Sequence, residues 1–311
     1  MTTDNYTHDT AAEYARRMDT TLDRKWAALK PHVFPGARVL DYGCGMPTEN
    51  GIREHVEAAG GVYECHDISA TVETAMRDAG ATFRTKEDLT EQARSYDVVF
   101  LSSVLHELAG QDAGFEEIES AWQLVAGGGV AVVRDWSGVQ FQPISPLPRS
   151  LKLTSEDAMR EVLTWVGALW ANSVLRVGAV KNRKVDWDNL ELHADPDNIY
   201  EIAFHSVWGL ESLPREAAES YGSAQNALSM HLRYWGDCTV EDRYDEWDET
   251  YLTHLQRLYD IDRLPWPTKT VLVLRRSNKR HARQQLRRDA TNRMKGCVPP
   301  SIMSAQKRVF Q

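Results

Sequence analysis

Four residues near the start of the chain have the types and spacing to hold a ligand: Asp41, Gly43 and Gly45 in "VLDYGCGMP", and Asp67 in "ECHDIS". An apolar run stops on Asp41 and then breaks into two glycines one residue apart. Glycines at the carboxyl end of a strand let the backbone approach a ligand closely, and the following helix start offers free N–H groups. A carboxylate beside such a turn is poorly suited to a pyrophosphate; it suits an ammonium group, directly or through water. Asp67 follows Asp41 by 26 residues and ends the next apolar run, where it can accept hydrogen bonds from two ribose hydroxyls. Two further residues point toward the same crevice by topology. His106, just past the fourth apolar run, is a candidate general base or a helix cap. Asp135, ending the fifth, is a candidate acceptor contact or a loop anchor.

The elements that must position these residues follow from periodicity. "AAEYARRMDTTLDRKWAALKP" predicts an amphipathic helix ending at Pro31. Strands are expected at "ARVLDYG", "GVYECHDI", "ATFRT", "YDVVFLSS" and "VAVVRDW", separated by helices at "NGIREHVEAAG", "TVETAMRDAG" and "GFEEIESAWQLVA", the last closed by "GGG". This alternation argues for a doubly wound α/β fold, a parallel sheet with helices on both faces. Pro47 is expected in the first turn of the helix after the glycine loop, where its missing N–H costs nothing. Beyond Trp136 the pattern turns helical, and strand character returns at "TKTVLVLRR". The predicted division is a core over 1–136, a mostly helical insert over 137–267 acting as acceptor pocket or lid, a last core strand over 268–276, and a basic helix or tail over 277–311.

Composition narrows the classes. No apolar run approaches the roughly 20 residues needed to cross a bilayer, and the N-terminus lacks a signal-type segment, so a cytoplasmic protein without membrane association is expected. The four cysteines show no CxxC spacing, and Cys65, His66 and Asp67 are consecutive on a strand, so no metal site is expected. Residues 275–311 hold eleven Lys or Arg and one acid, against 25 basic and 44 acidic residues before them. Such a tail is a candidate nucleic-acid contact, or docks on the acidic body. Nine of the ten tryptophans fall between Trp122 and Trp266, as insert core or as an aromatic acceptor pocket.

A ligand with a cationic amino acid at one end and a ribose at the other is S-adenosylmethionine. The chain resembles class I S-adenosylmethionine-dependent methyltransferases through "VLDYGCG", "HDIS", "YDVVFLSSVLHEL" and "LVAGGGVAVVRDW", four blocks in the family's order across residues 39–136. The resemblance implies a mostly parallel seven-stranded sheet. It also implies that Asp41, Gly43 and Gly45 contact the methionine moiety, Asp67 the ribose and Ile68 the adenine face, while Ser102 and Ser103 line the cofactor floor. Two departures stand out: Pro47 replaces the third glycine, and Arg84 and Thr85 stand where an acid is usual, which passes the adenine amino contact to Asp88. The fourth-strand segment "LSSVLHEL" lacks the motifs of the common DNA base methyltransferases. The expected activity is methyl transfer to oxygen or nitrogen of a small-molecule or nucleotide-containing acceptor. Alternatives are an RNA methyltransferase guided by the basic tail, and a non-catalytic binding protein on the same fold.

Overall fold

The computed structural model describes residues 21–109, 114–137, 148–175, 184–221 and 237–278. Its first half runs α1 (Leu22–Leu29), β1 (Arg38–Tyr42), α2 (Ile52–Ala58), β2 (Val62–His66), α3 (Ala70–Asp78), β3 (Thr82–Phe83), α4 (Lys86–Thr90), β4 (Tyr96–Ser102), α5 (Leu105–Ala109), α6 (Gly114–Leu124) and β5 (Val125–Trp136). Then come β6 (Ser150–Lys152), α7 (Glu156–Ala171), β7 (Lys184–Asp186), β8 (Glu191–His193), α8 (Pro196–Ser206), α9 (Leu213–Glu216), β9 (Cys238–Glu246), α10 (Glu249–Gln256) and β10 (Lys269–Arg276).

Seven strands form the main sheet in the order β3-β2-β1-β4-β5-β10-β9. β1 to β5 are parallel, and β10 is antiparallel to both β5 and β9. Strands covered on both faces read as continuous apolar runs, which is why β1, β4 and β5 were legible. Their alternate residues feed two cores. Leu40, Val99, Leu101 and Val133 pack with Leu105, Leu108, Ile118 and Trp122 of α5 and α6. On the other face Val39, Val98, Phe100 and Val132 pack with Ala28, Leu29, Val56, Val72 and Met76 of α1, α2 and α3. Strand order reverses at β1, so the crevice for a ligand opens beyond the carboxyl ends of β1 and β4.

A third core belongs to the segment after β5, where Trp136, Trp165, Trp266, Tyr200 and Phe204 are buried together. α7 begins where Ser155 accepts a hydrogen bond from the Ala158 N–H, a side-chain cap. The insert also carries a small antiparallel sheet, β6-β8-β7, that the helical pattern had not announced. More consequentially, β9 lies inside the predicted insert interval yet belongs to the main sheet. Its segment "CTVEDRYDE" is exposed along its length, so it carries no apolar signal; acids and an arginine guard it as an edge strand.

Two smaller expectations are corrected. Gly127 to Gly129 do not close a helix; they lie in β5, with a register shift against β4 between Tyr96 and Val98. α2 starts at Ile52 with Gly51 as its cap, so Pro47 stands in the loop and not in the helix's first turn. Arg275 and Arg276 lie in β10, within the expected last strand over 268–276, so the charge counted for the basic run from residue 275 is partly engaged in the sheet. Arg275 pairs with Glu241 on β9, and Arg276, 1% exposed, donates to Asp237 Oδ2 (2.9 Å) and to the carbonyls of Trp122 (2.7 Å) and Val125 (3.1 Å). Residues 279–311 lie outside the described residues. Arg276→Ala strands those acceptors without a donor and should cost about 3–5 kcal/mol. A urea melt of the variant checks this; a midpoint shift worth under about 1 kcal/mol would show that solvent replaces the guanidinium.

Candidate active site

The glycine turn is laced to the end of β2. The N–H groups of Gly43 and Cys44 both donate to the His66 carbonyl (2.8 and 3.1 Å), and the Gly45 N–H donates to Asp67 Oδ2 at 3.0 Å. Gly43 and Gly45 sit at φ +77° and +66°, conformations that side chains with a Cβ rarely adopt. At Gly43 a Cβ would also stand 2.5 Å from Val104 Cγ2, because the turn after β4 packs directly against it. Gly43→Ala should therefore destabilise the fold by about 2–4 kcal/mol through strain and overlap together. Thermal melts check this, and adding Val104→Ala should recover only the overlap.

Asp41 is buried at 6% exposure, and the Tyr63 hydroxyl donates to its Oδ2 at 3.1 Å. Burial pushes its carboxyl up to about 6; Lys25 of α1 and the Tyr63 hydrogen bond oppose the shift, and Asp67 adds to it. Asp67 is fixed by backbone: Ser69 N–H donates to Oδ1 and Gly45 N–H to Oδ2, both at 3.0 Å. Burial raises this carboxyl as well, against those hydrogen bonds. Ile68, next in sequence, is 60% exposed, an apolar side chain held at the rim. Ser102 is buried at the end of β4, and its hydroxyl has no hydrogen-bond partner among the described residues; Ser103 follows at φ +58°. Asp88 is placed differently from the other predicted contacts. Its Oδ2 accepts from the Thr85 N–H (3.0 Å) while its own N–H donates to Thr85 Oγ1 (3.2 Å), the capping box of α4.

His106 and Asp135 meet directly. His106 lies in the first turn of α5 with its Nδ1 2.8 Å from Asp135 Oδ1. Asp135, fully buried, also accepts the N–H groups of Leu105 and Trp136, each at 2.7 Å. Burial alone would raise the Asp135 carboxyl, but His106, Lys269 and the Trp136 N–H outweigh it and hold the group well below the carboxylate range. The insert closes on the imidazole. Glu219 Oε2 stands 3.6 Å from His106 Nε2, and the Tyr221 ring meets it edge-on at 5.3 Å. Tyr221 is itself stacked with Trp136 (4.4 Å) and His205 (3.9 Å), and its hydroxyl donates to Glu216 at 2.6 Å.

Several of these residues escaped the sequence. Glu107, which no motif singled out, is enclosed, and burial pushes it up to about 7, with Asp67, Glu216 and Asp135 adding and His106 opposing. Lys269 was seen only as the start of a strand. Its ammonium lies 3.9 Å from the centre of the Trp136 ring, and burial lowers it to about 7 against the pull of Asp135. Lys25, Tyr63, Glu219 and Tyr221 carried no motif, since their roles arise from contacts between distant elements. Among the described residues no group of three or more His, Cys, Asp or Glu stands where it could hold a metal ion, and no helix is long and apolar enough to cross a membrane.

The sequence matches no protein-family model and no curated protein. Among solved structures it is similar to a SAM-dependent methyltransferase from Archaeoglobus fulgidus, at 14% identity over 84% of this chain and 94% of that one, with a TM-score of 0.42. A SAM-dependent methyltransferase from Methanosarcina mazei gives 11% identity over 81% and 97%, TM-score 0.43. The plantazolicin methyltransferase, solved with a desmethyl analogue and SAH, gives 10% over 87% and 91%, TM-score 0.44. At these values the likenesses add nothing to the strand order and residues above. The strand order by itself gives the architecture, a doubly wound, Rossmann-like α/β sheet of seven strands with one of them reversed.

Proposed function

We propose that this chain is an S-adenosylmethionine-dependent methyltransferase that passes a methyl group to oxygen or nitrogen of a small-molecule or nucleotide-containing acceptor. The observation that carries the proposal is the buried Asp41 carboxylate beside a glycine turn whose Gly45 N–H is tied to Asp67. One acid thereby faces the place of an ammonium group and the other, at the end of β2, the place of a ribose. The fit is supported by the Gly43 backbone, which leaves no room for a side chain, and by the Ser102 hydroxyl at the end of β4, unpartnered among the described residues.

When bound, the cofactor supplies an electrophilic methyl on a sulfonium. This chain's own residues supply position, exclusion of water and a proton acceptor. Tyr63 orients Asp41, and backbone N–H groups orient Asp67. The Trp136, Tyr221 and Glu219 side chains cover His106, whose Asp135 contact favours the Nδ1–H tautomer and leaves Nε2 as the base. Calorimetric titration of S-adenosylmethionine and S-adenosylhomocysteine into the folded protein tests the proposal. Dissociation constants on the order of 1 µM are expected. No heat from either ligand would overturn the proposal and leave the fold as a binding platform.

A further inference from the structure

We infer that Lys269 binds a carboxylate of the methyl acceptor, so that the acceptor is an acid held one aromatic ring away from His106. The inference rests on the cofactor proposed above and adds the class of acceptor.

Lys269 opens β10 and pairs across the sheet with Trp136, the last residue of β5. It is 4% exposed, and its ammonium forms no hydrogen bond or ion pair with any described residue. What it touches is the Trp136 indole, 3.9 Å from the ring centre. Tyr221 stacks on that indole at 4.4 Å, which leaves the ammonium the opposite face. The nearby acids are engaged elsewhere. Asp135 accepts from His106 Nδ1 and from the Leu105 and Trp136 N–H groups, while Glu246 takes Nε and Nη2 of Arg134. A buried ammonium that donates to nothing destabilises the fold, and a bound anion would offset that cost.

The ammonium can also be reached. Among the described residues, the side-chain polar atoms that are both closed to solvent and unpaired include Arg134 Nη1 and Ser137 Oγ, within two residues of Trp136, but not Lys269 Nζ. The stem of Lys269 is thus buried while its unpaired Nζ still meets solvent. The same Trp136 ring meets the His106 imidazole edge-on at 6.3 Å. Nζ and the imidazole therefore border one ring, on its face and at its edge, and a single small molecule can span them.

Chemistry selects the ligand. A cationic group would be repelled by Lys269. An alcohol or amide can accept a hydrogen bond but leaves the charge uncompensated. A carboxylate compensates it through charge-assisted hydrogen bonds. A phosphate dianion would bring a second negative charge toward Asp135 and Glu246, both of which already act on Lys269. Burial lowers Lys269 to about 7, with Asp135 and Glu246 opposing the shift and Arg134 and Lys25 adding to it. A bound carboxylate would keep the ammonium protonated at neutral pH.

The test uses the full chain with and without saturating S-adenosylhomocysteine. Phenylacetate, phenylacetamide and phenyl phosphate are titrated by calorimetry into the parent, Lys269→Met and Lys269→Arg. Phenylacetate is expected to bind about tenfold or more tighter than phenylacetamide in both conditions. Lys269→Met keeps the stem and drops the charge; it should erase the preference and melt no lower than the parent, while Lys269→Arg should retain most of the preference. No preference in the parent, or one that survives in Lys269→Met, overturns the inference. So does a preference lost together with a lowered melt, which would make Lys269 a structural counter-ion of Asp135. Tighter binding of phenyl phosphate would overturn the carboxylate in favour of a phosphate. Displacement of phenylacetate by S-adenosylhomocysteine would give the site to the cofactor's own carboxylate and overturn the acceptor assignment. If S-adenosylhomocysteine does not bind, the cofactor proposal alone fails, and Lys269 is judged on the titrations without it.

Discussion

Asp41→Asn should lose S-adenosylmethionine and S-adenosylhomocysteine binding and yet melt no lower than the parent protein. Removing one member of a buried, hydrogen-bonded charge pair costs about 2–5 kcal/mol, a loss of roughly 30-fold or more in affinity. Folding stability moves the other way because Asp41 is an acid that the fold itself penalises. Its carboxyl is raised from 3.8 to about 6, chiefly by burial. For an acid raised on folding, no penalty exists below the unfolded value, and the full penalty applies above the folded one. Stability from this group therefore falls as pH climbs from about 4 to about 6, by about 3 kcal/mol for a shift of this size. Asparagine keeps the shape without the charge and should flatten that part of the profile.

Cofactor affinity should show the mirror image. An ammonium group needs the ionised carboxylate, so affinity should rise by up to tenfold per pH unit between about 4 and 6 and level off above. Among the described residues Lys25, Tyr63 and Asp67 act on the Asp41 carboxyl, and Asp67 is a second acid that burial raises. Titrations at pH 5 and pH 7 on the parent and Asp41→Asn decide the matter. Equal affinity at both pH values in the parent, with an unimpaired variant, would remove Asp41 from the ligand site.

What the sequence made legible follows from what each element must do. β1, β4 and β5 are buried on both faces, and the glycine turn needs a backbone that other residues resist, so residues 39–45 and 96–102 announced themselves. β9 is the counter-example. Its nine residues are held by pairing with β10 and by ion pairs such as Arg134–Glu246 and Arg275–Glu241, neither of which leaves an apolar period. The base and its partner were placed by topology alone, yet their 2.8 Å contact and the carboxylates around them were not foreseeable. The enclosure of Glu107 carried no sequence signal because the acids that act on it, Asp67, Glu216 and Asp135, come from three separate parts of the chain. Asp88 shows a second signal in the same letters: "TKED" spells the capping box that holds its carboxylate at the start of α4.

The His106–Asp135 pair carries the second large effect, and its signature is the way two substitutions combine. Removing a general base typically costs about 100-fold to 10,000-fold in the chemical step. His106→Ala should fall in that range in single-turnover transfer of labelled methyl to an acceptor found by screening, with S-adenosylhomocysteine affinity kept. Asp135→Asn keeps the volume but must point an amide N–H₂ at one of three donors: the Leu105 N–H, the Trp136 N–H or His106 Nδ1. The imidazole then loses the carboxylate that orients it and stabilises its protonated form, so turnover should drop by a comparable factor. If Asp135 acts on the reaction only through His106, the double variant should be no slower than His106→Ala. Multiplying losses would mean that Asp135 shapes the site independently, through the turn it anchors between β4 and α5. A full-rate His106→Ala enzyme would show that the acceptor reaches the site already neutral, and the base would have to be sought at Glu219.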